Sequence, residues 1–114
     1  VWVAGFSFGA WVAMQLLMRR PEINNFISVS PPANTRDFSF LAPCPSTGLI
    51  VHGDKDTITS FDSTKILSEK LQKQKKVNIH FKSIKGADHF YENFTDQFSS
   101  IIDNYIKDSL ADLK

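Results

Sequence analysis

The sequence predicts an α/β fold in which a parallel sheet of about four strands is flanked by helices. Short apolar runs rich in Val, Ile and Phe alternate with longer amphipathic segments along the chain. Alternation of this kind implies right-handed crossovers between parallel strands. No internal repeat, low-complexity tract or linker interrupts it, so residues 1–114 are expected to belong to a single domain.

The first strand and the first helix are predicted from local patterns at the start of the chain. Residues 1–6 are apolar at almost every position, which is typical of a parallel strand buried on both faces. Basic residues followed by Pro21 indicate the end of a helix at 8–20. Its apolar residues recur at helical spacing in two rows, Phe8, Val12, Leu16 and Ala13, Leu17.

The same two periodicities predict the remaining elements. In order, these are a strand at 26–30, an irregular segment at 33–46, a strand at 47–52, a helix at 60–74, a strand at 77–84 and a helix at 91–112. The strand at 77–84 shows clear alternation of apolar and polar residues. The last helix carries a single apolar stripe, formed by Phe94, Phe98, Ile101, Ile102, Tyr105 and Ile106.

Composition excludes several classes of protein. Hydrophobic residues make up 42% and charged residues 22% of the chain, as in ordinary globular domains. A net charge of +1 and the absence of a long apolar run give no indication of a nucleic-acid or membrane partner. The single cysteine, Cys44, excludes an internal disulfide and is compatible with a cytoplasmic location. Because neither a phosphate-binding loop nor a cluster of metal ligands is present, we expect no cofactor and no metal.

The run Gly5-Phe6-Ser7-Phe8-Gly9 lies where the first strand meets the first helix. A serine in Gly-x-Ser-x-Gly between a strand and a helix is typical of a sharp turn that exposes its hydroxyl. We expect glycine at both outer positions because a Cβ there would clash with the strained backbone or the helix. The pentapeptide alone is weakly specific, and the strand and helix around it make Ser7 a candidate nucleophile rather than merely a small turn residue.

Two further turns follow later strands and carry possible partners of Ser7. Asp54 and Asp56 come directly after the strand at 47–52, and His89 follows the last strand. Because the carboxyl ends of parallel strands meet at one edge of a sheet, these groups are expected to meet in space. A serine, a carboxylate and a histidine in this order along the chain form the pattern of a nucleophile, an orienting acid and a base. From the residues alone, either aspartate could be the acid.

Together these motifs make the chain similar to the C-terminal half of an α/β-hydrolase. It most resembles the small bacterial hydrolases related to dienelactone hydrolase and to short-chain esterases. The matching segments are Gly5-Phe6-Ser7-Phe8-Gly9-Ala10, Ser30-Pro31-Pro32, Asp37-Phe38-Ser39-Phe40-Leu41, His52-Gly53-Asp54-Lys55-Asp56 and Gly86-Ala87-Asp88-His89-Phe90. The resemblance implies that the first strands of the sheet lie outside this sequence, which leaves residues 1–6 as an unprotected edge.

The resemblance also implies a role for each candidate residue. Ser7 would be the nucleophile and His89 the general base. The acid of the family lies three residues after the glycine of this turn, which favours Asp56 and leaves Asp54 as a turn former. The backbone N–H of Phe8 would contribute to an oxyanion hole.

The second oxyanion donor would come from a loop after an earlier strand. We therefore expect this chain by itself to be weakly active or inactive. The remaining titratable candidates are not expected to belong to the triad. His52 would support the acid turn, His80 would lie on a solvated face, and Asp88 would point away from its neighbour His89.

The expected function is that of a serine hydrolase that cleaves small ester or related acyl substrates through an acyl-enzyme. The irregular segment at 33–46 is too short for a helical lid, so an open site is expected. A peptidase, thioesterase or acyltransferase of the same fold is an alternative. A non-catalytic binding protein or an inactive truncated remnant is another, and the sequence leaves the oligomeric state open.

Overall fold

The computed structural model describes residues 1–41, 44–75 and 77–112. Within them, four strands, three α-helices and one 3-10 turn follow one another along the chain. Their bounds are β1 Trp2–Phe6, α1 Phe8–Arg19, β2 Asn25–Val29, the 3-10 turn Ser39–Leu41, β3 Thr47–Gly53, α2 Phe61–Gln72, β4 Ile79–Ile84 and α3 Thr95–Asp112. None of the described helices is both long enough and apolar enough to cross a bilayer.

The four strands form one parallel sheet in the order β1-β2-β3-β4. The prediction of a parallel sheet of about four strands with flanking helices is therefore confirmed. The register aligns the strand ends, because Phe6 pairs with Val29, Val29 with Val51, and Gly53 with Ile84. The turns that follow the strands consequently lie side by side at one edge of the sheet.

The sheet separates two apolar layers, and alternate residues of the central strands point into each of them. On one face, Phe26 and Ile50 pack with Met14 and Leu17 of α1 and with Leu71 of α2. The opposite face packs against α3 through Ile27, Val29, Leu49, Val51, Ile84 and Tyr105. This packing fixes β2 and β3 in the middle of the sheet, between the strand that precedes Ser7 and the strand that leads to His89.

Several element boundaries differ from the predicted ones. The last helix begins at Thr95 instead of residue 91, because Tyr91 and Asn93 have left-handed backbone with φ of 57° and 68°. The helix predicted at 60–74 covers Phe61–Gln72, since the Ser60 hydroxyl caps its N-terminus. The strand predicted at 77–84 begins at Ile79.

The segment predicted to be irregular differs in one respect, because it contains the 3-10 turn Ser39–Leu41. Within this segment, Ala42 and Pro43 lie outside the described residues.

The prediction that the first strand is buried on both faces is wrong. β1 lies at the edge of the sheet, and Ala4 and Phe6 are exposed. One predicted row of α1 is exposed as well, namely Phe8, Val12 and Leu16. The helix instead buries a face formed by Ala10, Ala13, Met14 and Leu17. These residues of β1 and α1 are exposed because no strand among the described residues pairs with the outer edge of β1.

Candidate active site

Ser7 occupies a strained turn between β1 and α1. Its φ of 56° and ψ of −122° lie in a region that a residue with a side chain rarely adopts. Two backbone hydrogen bonds hold it there: its N–H donates to the carbonyl of Val29 at 2.8 Å, and its carbonyl accepts from the N–H of Ala10 at 2.9 Å. The end of β2 therefore helps to fix the Ser7 backbone.

The two glycines of this turn are not equivalent. A Cβ on Gly5 would overlap the backbone of Gly9 and Ala10, so the close approach of strand and helix requires glycine at this position. A Cβ on Gly9 would have no atom within 4 Å. The expectation of a clash at Gly9 is therefore wrong, because this residue faces open space on the helix.

The structure brings Ser7, His89 and Asp56 together in one line of hydrogen bonds. Ser7 Oγ lies 3.0 Å from Nε2 of His89, and Nδ1 of His89 lies 2.7 Å from Oδ2 of Asp56. Because Nδ1 faces a carboxylate, it carries the ring proton, and Nε2 is left to accept the Ser7 hydroxyl. His89 is buried, whereas Ser7 is only half-buried.

Asp56 is held from both sides of its carboxylate. Oδ1 accepts the backbone N–H groups of Ile58 and Thr59 at 2.8 Å, and Oδ2 accepts the Thr59 hydroxyl at 2.8 Å. Burial raises the pKa of this carboxyl, but the hydrogen bonds from Thr59, His89 and Ile58 outweigh it and hold the pKa below its ordinary value. Asp56 is therefore an anion at neutral pH.

The other two aspartates point elsewhere. Oδ1 of Asp54 accepts the N–H of Gly86 at 2.6 Å, so Asp54 joins its own turn to the turn after β4. Oδ1 of Asp88 accepts the N–H of Glu92 at 2.9 Å. Asp54 stabilises a turn and the carboxylate of Asp88 is bonded away from the His89 ring, while His89 is hydrogen-bonded to Asp56.

Tyr91 and Ser30, to which sequence analysis gave no role, lie beside the backbone of His89, whose carbonyl is 3.5 Å from Ser30 Oγ. Tyr91 donates its hydroxyl proton to the carbonyl of Val51 at 3.2 Å, and its oxygen lies 2.8 Å from Ser30 Oγ. Burial raises the pKa of Tyr91 to about 12, so the phenol keeps its proton. The sequence offered little signal for this pair, because Ser30 and Tyr91 are far apart and both adopt positive φ.

The remaining predicted groups are placed as follows. Phe8 is the first residue of α1, where a backbone N–H has no partner within the helix. His80 is exposed on β4, as expected, whereas His52 is fully buried at the end of β3. In the part of the chain that the structure describes, no group of three or more His, Cys, Asp or Glu residues is arranged to hold a metal ion.

Comparison with known proteins places this geometry in context. Residues 1–112 match the model of the Dienelactone hydrolase family. An uncharacterized protein of Rickettsia prowazekii (strain Madrid E) is 54% identical over 108 residues, which cover 91% of this chain and 45% of the relative.

Two crystal structures are also similar. A protein of unknown function from Agrobacterium tumefaciens, described as a candidate alpha/beta hydrolase, is 49% identical with a TM-score of 0.94 over 96% of this chain and 50% of its own. A serine hydrolase without lid from Xanthomonas campestris is 27% identical with a TM-score of 0.80 over 93% of this chain and 46% of its own. The chain thus spans about half the length of these proteins.

Proposed function

This chain belongs to the dienelactone hydrolase family and has part of an α/β-hydrolase fold, and on that premise we propose that it acts as a serine hydrolase. Ser7 is the nucleophile, His89 the general base and Asp56 the orienting acid. The observation that carries the proposal is the unbroken line of hydrogen bonds from Ser7 Oγ through the His89 ring to Asp56 Oδ2, at 3.0 Å and 2.7 Å. A serine hydroxyl is a poor nucleophile without such a base.

The reaction proceeds in two halves. Nε2 of His89 takes the Ser7 proton while Oγ attacks the carbonyl carbon, and Asp56 stabilises the resulting imidazolium. His89 then gives the proton to the leaving group, whose bond to the carbonyl carbon breaks and leaves the acyl group on Ser7. Water attacks the acyl-enzyme with His89 again as base, which releases the acid and restores Ser7.

The oxyanion of each tetrahedral intermediate needs hydrogen-bond donors. The backbone N–H of Phe8, at the start of α1, supplies one of them. The second is expected from a loop after an earlier strand of the whole domain. Loss of one donor lowers kcat by about 100- to 1000-fold in well-studied enzymes, so the isolated chain is expected to turn over slowly.

The favoured substrates are small esters or related acyl compounds. Within the described part of residues 31–46, the only helical element is the 3-10 turn Ser39–Leu41, which is too short to cover the Ser7 hydroxyl. The similar Xanthomonas campestris protein is also described as lacking a lid. Thioesters, peptides and acyl transfer use the same acyl-enzyme and remain alternatives. The proposal includes a cytoplasmic location, with neither a nucleic-acid nor a membrane partner.

The experiment that tests this function is intact-mass analysis after treatment with a fluorophosphonate probe. The whole domain, including the earlier strands that are expected to supply the second oxyanion donor, is compared with its Ser7→Ala variant after circular dichroism has shown both to be folded. A single adduct on the unmodified domain that is absent from Ser7→Ala supports an activated serine and justifies a screen of esters and thioesters. A folded domain that forms no adduct at high probe concentration would overturn the proposal and favour the non-catalytic binding function.

A further inference from the structure

A second histidine lies against the carboxylate of Asp56, beside the same oxygen that His89 contacts. His52 is fully buried at the end of β3, and its Nε2 is 3.2 Å from Oδ2 of Asp56. The same nitrogen is 3.2 Å from the backbone carbonyl of Thr59 and 3.3 Å from the Thr59 hydroxyl. The ring edge also packs against Phe61, with centroids 6.0 Å apart.

These surroundings fix the tautomer of His52. Nε2 faces a carboxylate and a carbonyl oxygen, which only accept hydrogen bonds, so Nε2 must carry the proton. Nδ1 is buried and has no hydrogen-bond partner, so a proton there would be an unpaired buried donor. Burial also lowers the pKa of His52, which keeps the ring neutral.

Thr59 connects the two histidines to the same carboxylate. Its hydroxyl has one proton, which it donates to Oδ2 of Asp56 at 2.8 Å. Its lone pairs then face Nε2 of His52 at 3.3 Å and Nδ1 of His89 at 3.2 Å. The side chain of Asp56 is fully buried, so these protein groups replace water around Oδ2.

We propose that His52 is a positioning residue which, together with Thr59, holds Oδ2 of Asp56 against Nδ1 of His89. This inference rests on the proposed function, because it concerns the same serine, histidine and acid. The N–H of His52 bridges Asp56 to the Thr59 carbonyl and so limits rotation of the carboxylate. Without that donor, the Thr59 carbonyl would lose a buried hydrogen bond and Asp56 would lose its close N–H contact, so the His89 ring would be held less firmly beside Ser7.

A purely space-filling role for His52 makes different predictions. His52→Leu has a similar volume and removes both ring nitrogens, whereas His52→Gln keeps an N–H donor at about the same reach. If His52 only fills space beside Phe61, Ser7 should be labelled as fast in His52→Leu as in the unmodified protein, and faster than in His52→Gln. If His52 positions Asp56, Ser7 should be labelled faster in His52→Gln than in His52→Leu.

The test combines NMR spectroscopy with fluorophosphonate labelling, both on the whole domain that includes the earlier strands. Ring nitrogen shifts in ¹⁵N-labelled protein should show His52 protonated at Nε2 and unprotonated at Nδ1, which needs no variant. The far-downfield proton of the bond between His89 and Asp56 should be present in the unmodified chain and in His52→Gln. In His52→Leu, we expect it to shift or exchange faster and labelling of Ser7 to slow about tenfold or more, with His52→Gln recovering most of the rate.

The outcomes separate this inference from the proposed function. No labelling of the unmodified whole domain would overturn the proposed function, while the NMR signals would still test the positioning role of His52. An unmodified chain that is labelled, with His52→Leu equally fast and its downfield proton unchanged, would overturn the positioning role alone. A proton on Nδ1 instead of Nε2 would overturn it as well.

Discussion

Asp54 and Gly86 join the turn after β3 to the turn after β4: Oδ1 of Asp54 accepts the Gly86 N–H at 2.6 Å. Gly86 has a φ of 83°, so the second turn depends on a left-handed glycine at the point of contact. The first turn carries Asp56 and the second leads to His89. Asp54 thus helps to set the distance between the proposed acid and base without touching either.

Replacing each of the two aspartates of this turn by asparagine is expected to have very different effects on the rate at which Ser7 is labelled. Asp56→Asn places an amide against Nδ1 of His89 and disturbs its tautomer, which costs about 10⁴ in kcat in the well-known serine protease case. Asp54→Asn keeps an oxygen that can accept the Gly86 N–H, so we expect labelling of Ser7 to stay within about threefold of the unmodified rate. Fluorophosphonate labelling rates measure both. If Asp54→Asn were the slower variant, the assignment of the acid would be wrong.

Thr59→Val should weaken the acid turn, because it removes the hydroxyl that donates to Asp56 at 2.8 Å and preserves the side-chain shape. A hydrogen bond to a charged group contributes about 1.5 to 3 kcal/mol to stability, so we expect a loss of this size in urea unfolding. Thr57→Val is the matched control, since Thr57 is exposed in the same turn. Equal stability of the two variants would contradict the role given to Thr59.

The sequence predicted the sheet, the helices and the three candidate residues for a common reason. Short apolar runs and glycine turns are local signals, and parallel strands bring their ends to one edge. The acid could be chosen only through the family resemblance, because Asp54 and Asp56 lie in the same turn and differ in where their side chains point. Residues alone cannot show that direction.

Other features depended on contacts that no local pattern encodes. Thr59 escaped notice because its hydroxyl matters only once β3 and β4 place His52 and His89 on either side of it. The last helix was predicted to begin four residues too early, because periodicity does not reveal the positive φ of Tyr91 and Asn93 that keeps them outside the helix. The apolar composition of the first strand predicted burial on both faces, whereas the family resemblance implied the edge position that β1 has.

Alanine at the two glycines of the serine turn gives a matched pair of variants. In Gly5→Ala, the new Cβ would overlap the Gly9 backbone, and the strand and helix would have to separate. We expect this variant to be severely destabilised and to lose Ser7 labelling. In Gly9→Ala, the Cβ enters open space, and alanine is favoured over glycine in a helix by up to about 1 kcal/mol. Thermal unfolding of both variants checks this, and a folded Gly5→Ala with normal labelling would show that the turn is less tightly packed than the contact implies.

The buried phenol of Tyr91 should make stability depend on pH in the alkaline range. Its pKa in the folded chain is raised to about 12 from an ordinary value of 10.0 because the ring is buried. Between these values the unfolded chain releases the proton first, so the folded state binds more protons and stability falls as pH rises. A shift of this size corresponds to about 2 to 3 kcal/mol, fully present below pH 10 and lost on approaching pH 12.

Tyr91→Phe isolates this contribution. At pH 8 the variant should be less stable, by about 1 kcal/mol, because the carbonyl of Val51 and the hydroxyl of Ser30 lose a partner. As pH rises above 10, the unmodified chain loses stability because Tyr91 ionises more easily in the unfolded state. The variant has no phenol at position 91 and does not lose this stability, so the difference in unfolding free energy should shrink and then reverse. Tyr105→Phe is the control, because the pKa of Tyr105 is also raised by burial but this variant leaves Tyr91 in place. A stability difference between Tyr91→Phe and the unmodified chain that stays constant from pH 8 to pH 11 would mean that Tyr91 is not buried as a neutral phenol.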